Sequence, residues 1–172
     1  MKKIESFEIN HELLLRGFYV SRVDHLGDAS LTTYDIRMKA PNREPVMKND
    51  AMHAIEHLGA TFLRNHPHYK NETIYFGPMG CRTGFYLILK GELSSKDCLP
   101  ILIEMFRFIV SYEGDIPGAD PISCGNYSDM NLLSAQHESQ IYLSEILENI
   151  SDEHLIYPMT NNAKTPTSIS DN

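Results

Sequence analysis

The chain predicts an α+β fold: one domain with a mostly antiparallel sheet and helices packed on one face. Three observations carry that prediction. Leu31 to Met38 alternates with the two-residue period of a strand. Two later stretches, from Asp50 toward Pro67 and from Leu99 to Val110, carry apolar residues at helical spacing. The elements run strands, helix, strands, helix, helix, with no internal repeat and no linker between them. Residues 1–156 are therefore read as one domain. Residues 157–172, rich in Asn, Thr, Ser and Pro, are read as a disordered polar tail.

Taken in order, Glu5 to His11 alternates as a short strand, and Leu13 to Val23 continues apolar with Gly17 as a break or bulge. Asp24 to Ser30, containing Gly27, is a turn. In the next strand Tyr34, Ile36 and Met38 share the core face, which sends Asp35 and Arg37 toward solvent or a site. Asp50 is the expected N-cap of the first helix and Pro67 its stop. Thr73 to Phe76 is a strand running into the compact turn Gly77-Pro78-Met79-Gly80-Cys81. Phe85 to Leu89 is apolar enough to be a central strand. Ser94 and Asp97 have capping-box spacing, Pro100 falls in the first turn that follows, and Gly114 ends that helix. A Pro-, Gly- and Asp-rich loop from Asp115 to Asp129 precedes a last helix over about 131–150.

At 172 residues, 42% of them apolar, the chain can bury a real core, and its mean hydropathy is −0.30. No apolar run reaches the roughly 18 residues of a membrane span, and no apolar segment follows Lys2-Lys3 as a signal peptide requires. The expected location is cytoplasmic. A net charge of −8 leaves no basic surplus for a phosphate backbone, so neither nucleic acid nor membrane is an expected partner. The three cysteines Cys81, Cys98 and Cys124 are an odd number, which in a reducing compartment favours thiols kept for metal or chemistry over disulfides.

The chemistry concentrates on the first helix. His53 and His57 stand four residues apart, so their imidazoles lie side by side on one face with Glu56 beside them. Two neutral imidazoles at that spacing can hold one divalent cation, and the carboxylate can exchange protons next to it. A surface pair on an amphipathic helix would show the same spacing, so a third ligand is the deciding feature. Cys124, in a Gly-flanked loop, leads; Glu104 and Glu113 compete as oxygen ligands, and His66 and His68 follow. Cys81, at the end of a strand on a stiff turn, is a candidate general acid/base or nucleophile, although a small buried thiol would serve packing equally well. Cys98, at a helix start, is assigned to packing.

Ser6-Phe7-Glu8-Ile9-Asn10-His11, Tyr34-Asp35-Ile36-Arg37, His53-Ala54-Ile55-Glu56-His57, Gly77-Pro78-Met79-Gly80-Cys81-Arg82-Thr83-Gly84 and Cys124-Gly125-Asn126 occur in the order seen in the S-ribosylhomocysteine lyase family, LuxS, which the chain resembles over roughly residues 4–150. The resemblance implies one divalent metal per subunit, Fe(II) natively with Zn or Co substituting, on His53, His57 and Cys124. It implies Glu56 and Cys81 as the acid/base pair, and Ser6, His11 and Arg37 as substrate-binding residues. It also implies a homodimer with two active sites at the subunit interface, the N-terminal residues coming from the partner chain. The implied reaction cleaves S-ribosylhomocysteine to homocysteine and 4,5-dihydroxy-2,3-pentanedione, an autoinducer precursor. Arg37 would hold the amino-acid carboxylate as a fork. Tyr75, Gly77 and Met130 depart from residues frequent in the family (acidic, Ser and His), as does Ala54, where Thr is frequent. Two other readings compete: an inverted-zincin metallopeptidase, which needs a carboxylate as third ligand, and a non-catalytic module with a closed structural metal site.

Overall fold

Period-two alternation resolves into two hairpins. In the computed structural model, which describes residues 9–158, β1 (Gly17–Leu26) and β2 (Ala29–Arg37) pair antiparallel across the two-residue turn Gly27-Asp28. Gly27 takes the left-handed backbone conformation there, at φ +61°. β3 (Thr73–Pro78) and β4 (Gly84–Lys90) form the second hairpin, and β4 joins β2, so the sheet order is β1-β2-β4-β3 with every pairing antiparallel. β4 is central, which explains its apolar run: Phe85, Leu87 and Leu89 are buried against the helices.

The helices cover the face that displays Phe18, Tyr34, Ile36, Phe85 and Leu87. α1 (Asn49–Asn65) buries Ala51, Ala54, Ile55 and Leu58. It approaches β3 closely because residue 59 has no side chain; a Cβ there would stand 2.5 Å from Phe76 Cε1. α2 (Ser95–Val110) begins at the predicted Ser94–Asp97 capping box and buries Cys98, Leu102, Met105, Phe106 and Ile109. α3 (Leu132–Glu145) is capped by Asn131, whose side chain accepts from the Ser134 N–H at 2.9 Å. Each large apolar side chain so buried contributes on the order of 1.5–3 kcal/mol.

Several boundaries differ from expectation. Residues 9–11 of the predicted first strand form a turn, with the Leu13 and Leu14 N–H groups donating to the Asn10 carbonyl; residues 5–8 lie outside the described residues. Gly17 opens β1 rather than breaking it, and the irregularity falls between Val20 and Arg22. Lys48, not Asp50, is the N-cap of α1; Asp50 sits in the first turn, its carboxylate accepting from the Ala51 N–H at 2.8 Å where the helix dipole favours negative charge. The helix stops as predicted, with His66 driven to extended backbone by Pro67. Pro100 lies beyond the first turn of α2, and that helix ends at Ser111; Gly114, at φ +105°, bends the following loop instead. The last helix breaks at Ile146 into a 3-10 turn, Leu147–Asn149.

The largest departure concerns Asp35 and Arg37. They do point away from the helices, yet they are 1% and 3% exposed. The far face of the sheet is itself covered there, in part by Tyr157, which stacks on Tyr19 with ring centroids 4.7 Å apart. Tyr157, the first residue of the predicted tail, thus packs on the domain; residues 159–172 lie outside the described residues. Among the described residues no helix is long and apolar enough to cross a membrane.

Candidate metal centre

The i, i+4 spacing on α1 sets the His53 and His57 rings 4.9 Å apart at 73° to each other. Both rings are oriented by the loop between α2 and α3. His53 Nδ1 donates to the Asp129 carbonyl at 3.0 Å, and His57 Nδ1 donates to the Pro117 carbonyl at 2.7 Å. A carbonyl can only accept, so each Nδ1 carries a proton, and in the neutral ring Nε2 is then the nitrogen able to bind a metal. Cys124 Sγ lies 3.4 Å from His53 Nε2, and one ligand atom from each of the three residues falls within 4.8 Å of the others. Nitrogen and sulfur ligands bound tetrahedrally at roughly 2.0–2.3 Å stand about 3.5 Å apart, so the cluster is near the span one cation requires. Backbone acceptors behind both imidazoles are the orientation that ligating histidines take.

The loop that carries Cys124 is built to stay in place. The Cys124 N–H donates to the Asp120 carbonyl at 3.0 Å, while Asp120 Oδ1 accepts from the Ile122 and Ser123 N–H groups. Those bonds, from Ser123 above all, hold the Asp120 carboxyl below the usual carboxylate range. The Asn126 N–H points at the Cys124 sulfur at 3.5 Å, and the Asn131 N–H donates to Asp50, closing the loop onto the start of α1. Gly118, at φ +72°, packs on His57: a Cβ would stand 3.2 Å from Nδ1.

The competing ligands stand elsewhere. His66 Nε2 faces Glu104 at 3.4 Å, His68 and Glu113 are exposed, and the described cluster contains none of the four. Glu56 is half-buried on the same helix as the two imidazoles.

Cys81 belongs to a second group. Its turn is closed by Arg82 N–H to the Met79 carbonyl and Met79 N–H to the Gly84 carbonyl, both 2.9 Å, with Arg82 at φ +59°. The segment entering α1 is tied to the same turn, because the Met47 N–H donates to the Arg82 carbonyl at 3.1 Å. Cys81 Sγ lies 3.0 Å from Thr83 Oγ1 and 3.8 Å from Arg37 Nη1. Partial burial of the sulfur pushes the thiol up, but hydrogen bonds from Thr83 and the Arg37 charge outweigh it, and the balance falls below the ordinary thiol value.

Arg37 does not present a free fork. Its Nε and Nη2 donate to the two oxygens of Asp35 at 3.0 and 2.5 Å, and Nη1 donates to Thr83 Oγ1 at 2.6 Å. Burial works against the guanidinium charge, and the Asp35 carboxylate more than restores it. Of the residues singled out in the sequence, His53, His57 and Cys124 meet in one cluster, and Arg37 and Cys81 meet in another. His11 joins neither among the described contacts; its Nδ1 donates to the Ile9 carbonyl at 2.9 Å. Ser6 lies outside the described residues.

The sequence turns Asp35 toward solvent or a site but gives it no partner, and nothing in it singles out Thr83, although both fall inside the quoted blocks next to Arg37 and Cys81. Pro117 and Asp129 act through backbone carbonyls, for which side-chain identity gives no signal. Two of the departures are coupled: Tyr75 folds over Gly77, where a Cβ would meet its hydroxyl at 2.1 Å. Met130 lines a cavity of about 460 Å³ with Gly118, Asp120 and Tyr127.

The family profile for S-ribosylhomocysteinase (LuxS) matches residues 4–153. Among similar proteins, the S-ribosylhomocysteine lyase of Clostridium beijerinckii is 59% identical over 158 residues, covering 92% of this chain and 99% of that protein. The lyase of Finegoldia magna is 60% identical over the same shares of the two chains. That of Porphyromonas gingivalis is 51% identical, again over 92% of this chain and 99% of its own length.

Proposed function

We propose a mechanism from one premise: this chain belongs to the S-ribosylhomocysteinase (LuxS) family, and it acts as a carbon–sulfur lyase on S-ribosylhomocysteine. The observation that carries the site assignment is the convergence of a ring nitrogen from each of His53 and His57 and the Cys124 sulfur within 4.8 Å of one another. In this reading His53, His57 and Cys124 hold a divalent cation, Fe(II) in the native state with Zn or Co able to replace it. When bound, the cation supplies Lewis acidity that stabilises negative charge developing on the sugar oxygens.

The chain's own groups move the protons. A thioether cannot leave from an unactivated carbon, so the carbonyl first migrates along the ribose toward the sulfur. Each migration removes a proton from the carbon next to the carbonyl and returns one to the former carbonyl carbon. Glu56, on the helix of the two imidazoles, and Cys81, on its stiff turn, are assigned those transfers. Thr83 and Arg37 favour the Cys81 thiolate, the form able to take a proton from carbon. Once the carbonyl stands β to the sulfur, removing the intervening proton breaks the carbon–sulfur bond. Homocysteine leaves as the thiolate, that carbonyl re-forms, and the remaining enol takes a proton on its terminal carbon to give 4,5-dihydroxy-2,3-pentanedione, the autoinducer precursor that links this chemistry to quorum sensing and to clearing a methyl-cycle by-product.

Arg37 is assigned to substrate through Nη1, because Nε and Nη2 are turned onto the two oxygens of Asp35, while Nη1 carries two N–H groups and gives one to Thr83 Oγ1. Ser6 and His11 are assigned to substrate from the partner chain of a homodimer with active sites at the interface. Residues 1–156 form the lyase domain in this reading. The net charge of −8 speaks against a nucleic-acid partner, and in this reading the enzyme is cytoplasmic with no membrane partner. A thiol rather than a carboxylate beside the two imidazoles sets the metallopeptidase reading aside.

The test is thiol release from S-ribosylhomocysteine by protein loaded with Fe(II) or Co(II). Cys81→Ala is expected to keep the metal and lose turnover, whereas Cys124→Ala loses the metal. The reverse pattern would exchange the two cysteines' roles, and no thiol release from metal-loaded protein would reject the mechanism.

A further inference from the structure

On the sheet face opposite the helices, four side chains form one hydrogen-bonded line that ends at Cys81. Tyr157 Oη donates to Asp35 Oδ2 at 2.8 Å. Asp35 holds Nε and Nη2 of Arg37 on its two oxygens, and Arg37 Nη1 reaches Thr83 Oγ1 and faces Cys81 Sγ. The Tyr157 ring is fixed in turn by stacking on Tyr19, whose hydroxyl donates to the Leu15 carbonyl at 3.1 Å. Burial of Asp35 and Arg37 leaves neither free to swing into water.

We propose that Tyr157 is a positioning residue for the Cys81 thiol, acting through Asp35 and Arg37. The proposal rests on the proton-transfer role given to Cys81 above. Two physical effects support it, and they have the same sign. The carboxylate–guanidinium fork is directional, so a third bond that fixes the Asp35 plane also fixes where Nη1 points. In addition, a hydroxyl donating to Asp35 draws off part of the carboxylate's charge, leaving more of the Arg37 charge uncompensated at the sulfur. Both favour the thiolate.

Tyr19 from β1, Tyr86 from β4, Tyr142 from α3 and Tyr157 itself all have hydroxyls pushed up, by burial first and by Asp35 second, so they stay protonated across the working range, and Arg16 acts on Tyr142 in the opposite sense. Asp35 and Arg37 are the ionised pair at its centre. Arg22, Arg43 and Glu153 act on its tyrosines from farther out.

The experiment follows carbamidomethylation of Cys81 against pH in the metal-loaded protein, with the modified peptide identified by mass. Tyr157→Phe keeps the ring and removes the hydroxyl. Its midpoint is expected to rise by about half a pH unit, about threefold less thiolate at pH values below it. Replacing Tyr157 by 3-fluorotyrosine strengthens the donor and should move the midpoint down. Ile156→Ala, at a neighbouring position that is 66% exposed, should leave it in place. Equal midpoints for wild type, the phenylalanine variant and the fluorotyrosine protein would overturn the proposal, as would shifts of both in one direction. If the phenylalanine variant does not fold, the fluorotyrosine protein, changed by a single atom, decides alone: a downward shift supports positioning and no shift refutes it. A Cys81→Ala protein with full turnover would instead remove the role assigned to Cys81, whatever the midpoints show.

Discussion

Gly118→Ala probes the metal centre without touching a proposed ligand. A methyl group at 118 would stand 3.2 Å from His57 Nδ1, closer than ordinary van der Waals contact, and 3.4 Å from Cε1, at its edge. The backbone at φ +72° also resists a side chain, at a cost of about 1–2 kcal/mol. The imidazole can yield only by lengthening the 2.7 Å bond from Nδ1 to the Pro117 carbonyl, the bond that keeps Nε2 free and aimed. Losing such a support behind a ligating histidine typically weakens metal binding about 10–100-fold. The variant should therefore lose about 1–2 kcal/mol of stability and at least tenfold in Co(II) affinity, read by competition with a coloured chelator. Gly114→Ala is the control, since Gly114 shares the left-handed backbone, at φ +105°, but a Cβ there meets nothing within 4 Å. It should lose stability alone. Unchanged metal affinity in the Gly118 variant, or an equal loss in the Gly114 variant, would refute the reasoning.

Three further outcomes are expected. Thr83→Val removes the hydroxyl that bonds both Cys81 and Arg37, so the Cys81 thiol should rise; because a thiol held below its unfolded value adds stability above that value and loses it as pH falls through the lowered one, the variant should flatten the pH dependence of stability in that window, checked by alkylation rates and by unfolding at several pH values. Gly59→Ala presses a methyl group against Phe76 at 2.5 Å and Met105 at 3.2 Å, and overpacking of about 1–3 kcal/mol, less roughly 1 kcal/mol gained in helix propensity, should leave it less stable in chemical denaturation. Inactive His11→Ala and Glu56→Gln chains mixed as heterodimers should recover part of the activity, and verified heterodimers without recovery would place each whole site in one chain.

What could be read from the residues divides along physical lines. Alternation in β2 placed Tyr34, Ile36 and Met38 in the core correctly, because parity is local. Parity could not say whether the opposite face is covered: Tyr19 stands across from Asp35 on the neighbouring strand, but the Tyr157 that stacks on it and bonds Asp35 arrives from 122 residues away in the chain. Asp50 is the cap the sequence offers, yet Lys48 holds that position without a side-chain cap bond, next to a Met47 whose N–H is tied to the Arg82 carbonyl, so no residue type marks the start of α1. His53 and His57 were visible through their spacing. Cys124 was visible as the leading candidate, but its meeting with them depends on a loop fastened by the carbonyls of Pro117 and Asp129, groups that every residue carries.

Cys124 and His53 are 71 residues apart in the chain. A cation held by both would join the first half of the molecule to the second as a removable cross-link. A permanent bridge across that separation would restrict the unfolded chain by about 4 kcal/mol on the chain-entropy account. Melting temperature should then climb with free metal concentration, and a chelator should lower it. Heat resistance would report metal supply in a cell lysate without any substrate being added.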